Sequence, residues 1–87
     1  MTYQVEFTKK AAKQFEALPA EVKSRLQLKL EMLASNPRPS GVVKLEDTDN
    51  QYRLRIGSYR IVYEVEDEIL LILIIRVGHR RDVYKIR

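Results

Sequence analysis

The order of patterns along the 87-residue chain predicts an α+β fold. Two helices should pack on one face of a small, mostly antiparallel β-sheet. Three observations carry this. Both helix-period segments, residues 9–18 and 20–35, fall in the first half. Strand-period segments crowd the second half. Two of those, residues 52–56 and 59–66, are joined by Gly57-Ser58, a Gly-X pair of the kind that closes a two-residue hairpin. The predicted order is β-α-α-β-β-β-β.

Each element has its own justification. Residues 3–7, Tyr-Gln-Val-Glu-Phe, alternate and read as the first strand. Thr8 can cap the following helix, residues 9–18, which carries Ala11, Ala12, Phe15 and Leu18 on one side. Pro19 closes that helix and can open the next. In the second helix, residues 20–35, Val22, Leu26, Leu30 and Leu33 form the main apolar stripe. Leu28 and Met32 lie off that stripe and are expected to pack on the first helix; the other reading is a partner-binding surface. Asn36-Pro37-Arg38-Pro39-Ser40-Gly41 breaks the helix by turn chemistry.

Residues 42–45 read as a short strand and 46–50 as a polar loop. Asp47-x-Asp49 has calcium-like spacing, but Tyr52 and Ser58 occupy the positions where a calcium loop needs Gly and Glu. Glu64, Glu66, Asp67 and Glu68 crowd the turn after the hairpin, where water should solvate them. The seven apolar residues 69–75 are expected to form the central strand, ended by Gly78.

The length suits one domain, residues 1–87, with one two-layer core. There is no cysteine, hence no disulfide framework or thiolate metal site. The first residues show no apolar signal region, and the longest apolar run falls far short of the roughly 20 residues of a membrane span. A cytoplasmic location is the expectation. Net charge is +4. The last twelve residues hold five basic side chains (Arg76, Arg80, Arg81, Lys85 and Arg87) against Asp82 alone, which equals the whole excess. Such a cluster beside a basic hairpin is an electrostatic footprint for nucleic acid, and Arg76, Arg81, Lys85 and Arg87 are candidate RNA-binding residues. A solvated basic tail is the plainer reading.

The hairpin is the most informative segment. A two-residue turn sets Ile56 opposite Tyr59, Arg55 opposite Arg60 and Leu54 opposite Ile61. Alternation then puts Arg53, Arg55 and Arg60 on one face of the sheet. Like charges directly opposed destabilise a sheet, and a bound polyanion such as a phosphodiester removes that penalty. Alternatively, Arg53 and Arg55 pair with Glu64 or Glu66 as a salt-bridged surface. Tyr52, Tyr59 and Tyr63 fall at inward positions and read as core.

The remaining chemistry is narrow. One histidine without cysteine cannot build a zinc site, and neither a nucleophile elbow nor a Gly-rich phosphate loop is present. RNA brings its own nucleophile, the 2′-hydroxyl. An enzyme then needs cations for the pentacoordinate phosphate, a proton acceptor and a donor for the leaving 5′-oxygen. Arginine suits the first task through its planar fork. His79, in Val77-Gly-His-Arg-Arg-Asp-Val-Tyr84, is the only imidazole, the side chain whose ordinary pKa is nearest neutrality; it could instead simply hold the strand end. Tyr84 offers a ring for base stacking. The candidate catalytic residues on this chemistry are Arg53, Arg55, Arg60, His79 and Tyr84, with no metal and no cofactor.

Two segments, Tyr52-Arg-Leu-Arg-Ile-Gly-Ser-Tyr-Arg-Ile-Val-Tyr63 and Val77-Gly-His-Arg-Arg-Asp-Val-Tyr84, at this spacing, resemble the RelE/ParE superfamily of toxin–antitoxin systems. The likeness extends to the opening strand, the helical pair ending in Asn36-Pro37, and Lys44-Leu45. It looks closest to the RelE branch of ribosome-dependent mRNA interferases. That resemblance implies the same α+β fold and metal-free cleavage of mRNA in the ribosomal A site. It assigns the basic strand positions to Arg53, Arg55 and Arg60, the arginine after the last strand to Arg80, and the base-stacking tyrosine to Tyr84. Well-studied members often carry lysine at the first two positions, one of them proposed as general base. Here both are arginine, which leaves the proton roles divided among Arg53, Arg55, His79 and Arg80. The resemblance also implies an acidic, partly disordered antitoxin as partner, for which Leu28 and Met32 are a landing site, besides ribosome and mRNA. Two other readings are a ParE-like inhibitor of DNA gyrase and a non-catalytic nucleic-acid-binding module.

Overall fold

The computed structural model describes residues 2–79. Strand β1 is Gln4–Phe7, followed by helices α1, Lys9–Glu16, and α2, Ala20–Ser35. Then come β2, Val43–Lys44, β3, Gln51–Ile56, β4, Tyr59–Glu66, a one-turn 3₁₀ helix at Asp67–Ile69, and β5, Leu71–His79. The predicted element order holds. The five strands form one sheet in the order β1-β5-β4-β3-β2. Only the β1–β5 pair is parallel; β5–β4, β4–β3 and β3–β2 are antiparallel.

Local chemistry sets the helix ends. The Thr8 hydroxyl accepts from the Ala11 amide at 3.1 Å and satisfies one orphan donor of α1. The helix stops at Glu16, earlier than expected. Leu18 N–H reaches back three residues to the Phe15 carbonyl, which tightens the last turn, and Pro19 disfavours helical geometry at Leu18. The bounds of α2 match the prediction.

Leu26, Leu30 and Leu33 of α2 and Ala11 of α1 meet Leu54, Ile56, Ile61, Tyr63, Val65, Ile72, Ile74 and Val77 of the sheet in one core. Each fully buried large aliphatic side chain is worth about 1.5–3 kcal/mol. Tyr52 and Tyr63 stack within this layer, ring centroids 5.8 Å apart. The Tyr63 hydroxyl donates to the Pro37 carbonyl at 2.7 Å, tying the end of α2 to the sheet. Burial pushes this phenol up to about 12.

Three expectations need correction. Ile69 is not in a strand: it ends the 3₁₀ turn and is 67% exposed. Leu70 then takes a left-handed φ of 51°, and β5 begins only at Leu71 and runs past Gly78 to His79. Nor is β5 the central strand. It is interior because β1 covers one edge, but the middle of the five is β4. Leu28 and Met32 do not pack on α1; they are 62% and 58% exposed.

Candidate nucleic-acid interface

Gly57 opens the β3–β4 turn with a φ of +59°, a conformation that L side chains rarely adopt and that the first position of a two-residue hairpin accepts from glycine. The turn fixes the register. Arg55 pairs with Arg60, Arg53 with Val62 and Ile56 with Tyr59. Because alternate residues share a face, Arg53, Arg55, Arg60 and Val62 lie on the side of the sheet away from the helices.

A fourth arginine joins them through an irregularity. Along β4 and β5, Tyr63 pairs with Ile74 but Val62 pairs with Arg76, so Ile75 is an extra residue. This β-bulge changes the parity of everything that follows. Unbroken alternation from Ile72 and Ile74 would put Arg76 on the core face opposite Ile61. The bulge gives that place to Val77 and sets Arg76 across from Val62. Two rows result. Val43, Arg53, Val62 and Arg76 form one; Arg55, Arg60 and Gly78 form the other. Gly78 carries no side chain, so the second row has a gap beside Arg60.

The face is less open than the sequence suggests. Arg55 is exposed and Arg53 and Arg76 are half-buried, whereas Arg60 is only 8% exposed and Val62 is buried. Both buried residues sit on β4: Val62 lies between Arg53 and Arg76, and Arg60 lies beside Arg55. Arginine stems are long enough to cover such apolar ground. Arg76 Nη1 is buried and makes no hydrogen bond among the described residues. Arg55 Nε donates to the Gly57 carbonyl at 3.2 Å, which steadies it at the turn.

Acidic groups collect at the other end of the same face. Glu64 accepts from Gln51 and Glu66 from Asn50, at 3.4 and 2.9 Å. The hydrogen bond between Glu64 and Glu66, with burial and mutual repulsion, holds the Glu66 carboxyl above its ordinary range. Asp67, expected to be simply solvated, accepts two bonds from Arg38, at 2.8 and 3.2 Å, and one from the Tyr3 hydroxyl. The Arg38 guanidinium and the Tyr3 hydroxyl keep its carboxyl below the usual aspartate range. Among the described residues, no three His, Cys, Asp or Glu side chains gather to hold a metal ion.

His79 sits apart from the arginines. It pairs with Tyr59, on the pleat face of Ile61 and Tyr63, and its ring meets Tyr59 edge-on with centroids 5.7 Å apart. The structure therefore brings Arg53, Arg55, Arg60 and Arg76 together and places His79 on the helix side. Arg80, Arg81, Tyr84, Lys85 and Arg87 lie outside the described residues. Leu28 and Met32 line a groove of about 460 Å³ between α2 and the hairpin turn, together with Arg25, Lys29, Arg55, Ile56 and Gly57. Sequence reading missed Arg25 and Lys29. Their spacing around Leu28 on one helix flank was the available signal.

Comparison with known proteins decides the family. Residues 5–84 match the family model described as ParE toxin of the type II toxin–antitoxin system, parDE. The chain belongs to the RelE/ParE superfamily of toxins. A RelE-like toxin protein of Escherichia coli is 34% identical over 89 residues, covering 99% of this chain and 94% of that protein. The mRNA interferase toxin RelE of Escherichia coli is 33% identical, covering 92% of this chain and 85% of its own length. Among solved structures, the archaeal RelE–RelB complex from Pyrococcus horikoshii matches with a TM-score of 0.81 and 33% identity, over 92% of this chain and 97% of that one. The predicted two-helix, mostly antiparallel fold is thus the RelE fold.

Proposed function

We propose that this RelE/ParE-superfamily member is a cytoplasmic endoribonuclease, one domain over residues 1–87, that cleaves mRNA on the ribosome. The observation that carries this reading is the four-arginine face. It supports phosphate binding by gathering Arg55 and Arg60, which are directly paired across the hairpin, with Arg53 and Arg76 on one face. The name of the E. coli relative, an mRNA interferase, points the same way.

In the proposed reaction the RNA 2′-hydroxyl attacks the adjacent phosphorus. The bond to the 5′-oxygen breaks, leaving a 2′,3′-cyclic phosphate and a 5′-hydroxyl. The 2′-hydroxyl proton passes to an acceptor, and a donor protonates the leaving oxygen. Arg53, Arg55 and Arg60 bind the phosphate and take up its developing charge, with Arg60 inside the half-sheltered row where a fixed cation is most effective. Arg80 serves the leaving group, and Tyr84 stacks the neighbouring base. Arg76, Arg81, Lys85 and Arg87 hold flanking phosphates. His79 is included for its chemistry, not its position, and the pH–rate profile of His79→Gln tests it. No metal or cofactor is required.

The partner is an antitoxin, as RelB is for the archaeal RelE in its complex. The groove beside α2 suits it: Leu28, Met32 and Ile56 offer apolar contact, and Arg25, Lys29 and Arg55 attract acidic side chains. An antitoxin there also covers Arg55.

A second reading has specific support, since the matching family model is that of ParE toxins. A ParE-like protein would inhibit DNA gyrase and leave mRNA intact. Primer extension on translated mRNA and a gyrase supercoiling assay separate the two. New 5′ ends with unimpaired supercoiling support the nuclease; the reverse result overturns it.

A further inference from the structure

We infer that Arg76 is a phosphate-binding residue of this site, and that the β-bulge at Ile75 exists to deliver it there. The inference rests on the proposed RNA-binding face and deepens it: it moves Arg76 from a flanking phosphate to the phosphate bound by Arg53 and Arg60, and names the backbone device that aims it.

The geometry is specific. Plain alternation along β5 would bury the Arg76 guanidinium among Ile61, Tyr63 and Ile74, where a charge is costly. One inserted residue removes that conflict, returns Val77 to the core, and lines Arg76 up with Val62 and Arg53. Two positions on, Gly78 faces Arg60. Arg53, Arg55, Arg60 and Arg76 thus surround a floor made of Val62 and Gly78. Arginines on three sides of a low floor suit a phosphodiester, whose non-bridging oxygens accept from several donors at once.

The second observation is energetic. Arg76 Nη1 is buried without a hydrogen bond among the described residues. Buried charged donors are seldom left so, because nothing repays their lost hydration. Arg76 as a whole is half-buried, so a turn of its side chain toward the open face offers this donor to a phosphate oxygen. An arginine whose charge is answered within the described fold has a carboxylate at its fork. Arg38, with its fork on Asp67, shows what that looks like in this chain.

The test measures RNA affinity and stability on the same variants. The probe is a single-stranded RNA with 2′-O-methyl groups, which binds but cannot be cut, titrated by fluorescence anisotropy across a salt series. Arg76→Gln should lower the slope of log K against log salt by about 0.7, the value of one phosphate contact on a single strand. Arg76→Lys retains the charge and should retain the slope. Lys10→Gln, an exposed change on α1, should leave it unaltered. Arg76→Met should melt no lower than the parent, since it removes an unsatisfied donor, while binding RNA more weakly. An unchanged slope in Arg76→Gln overturns the inference. So does a melting temperature that falls in Arg76→Met in step with the lost affinity, since that marks a structural role. If the parent binds the probe but cuts no translated mRNA, the proposed activity fails while Arg76 is still judged by its slope. If the parent does not bind the probe at all, the inference about Arg76 fails, while the proposed activity is judged on translated mRNA.

Discussion

Arg38 and Arg60 are the same residue type in two different settings. Arg38 lies over the Tyr52 ring, 5.3 Å from its centroid, donates to the Tyr52 hydroxyl at 2.8 Å, and closes its fork on Asp67. The fork on Asp67, helped by the Tyr52 hydroxyl, raises its already high pKa further. Its charge is answered inside the fold. Arg60, more deeply buried, faces another arginine across the hairpin and a glycine on the other side. A cation with a carboxylate at its fork holds a structure together. Cations gathered around a shallow floor are arranged for a ligand.

The largest expected effect falls at the second kind of site. Arg60→Ala should slow single-turnover mRNA cleavage on programmed ribosomes by at least about 100-fold, the usual loss when one donor to a developing oxyanion is removed. Melting temperature on the same preparations separates this loss from the packing lost with the buried Arg60 stem.

At the first kind of site, changes should affect folding and spare activity. Tyr63→Phe removes the donor to the Pro37 carbonyl and leaves that acceptor buried, at a cost of about 1–2 kcal/mol in chemical denaturation. Cleavage by the folded fraction should stay at the parental rate. A large loss of rate would mean that the two regions are not separable.

The smallest effect is a pH dependence. Asp67 titrates near 3.8 when unfolded and lower when folded. Its contribution to stability is therefore complete above 3.8 and is lost as pH falls through the folded value. Glu66 has the opposite sign. Its pKa is raised above 4.5, so its contribution is complete below 4.5 and is lost as pH rises through the folded value. Asp67→Asn should flatten the acid side of the melting-temperature profile below pH 3.8, and Glu64→Gln should raise stability above pH 4.5.

How much of this was readable in the sequence depends on whether local rules or tertiary ones decide. The hairpin register was legible because Gly57-Ser58 fixes it within the turn itself. The bounds of α2 were legible because its apolar stripe and Asn36-Pro37 mark them locally. Residues 69–75 misled because an apolar run does not reveal where a turn ends, and Leu70 spends one of those residues on a left-handed corner. The face of Arg76 could not be read from period 2, because a bulge breaks the period and only pairing with β4 shows where. Leu28 and Met32 were expected on α1, but α1 ends at Glu16 and they look out beside the hairpin instead. The spacing of Arg25, Leu28, Lys29 and Met32 already outlined that basic and apolar flank.

The most direct test sets Arg60→Ala beside Arg38→Ala in one assay, single-turnover cleavage of mRNA on programmed ribosomes, with melting temperatures measured on the same preparations. The account predicts that Arg60→Ala cuts about 100-fold more slowly with an intact fold. It predicts that Arg38→Ala melts lower and cuts at the parental rate. Equal rates for Arg60→Ala and the parent, or a slow Arg38→Ala beside a fast Arg60→Ala, would contradict it.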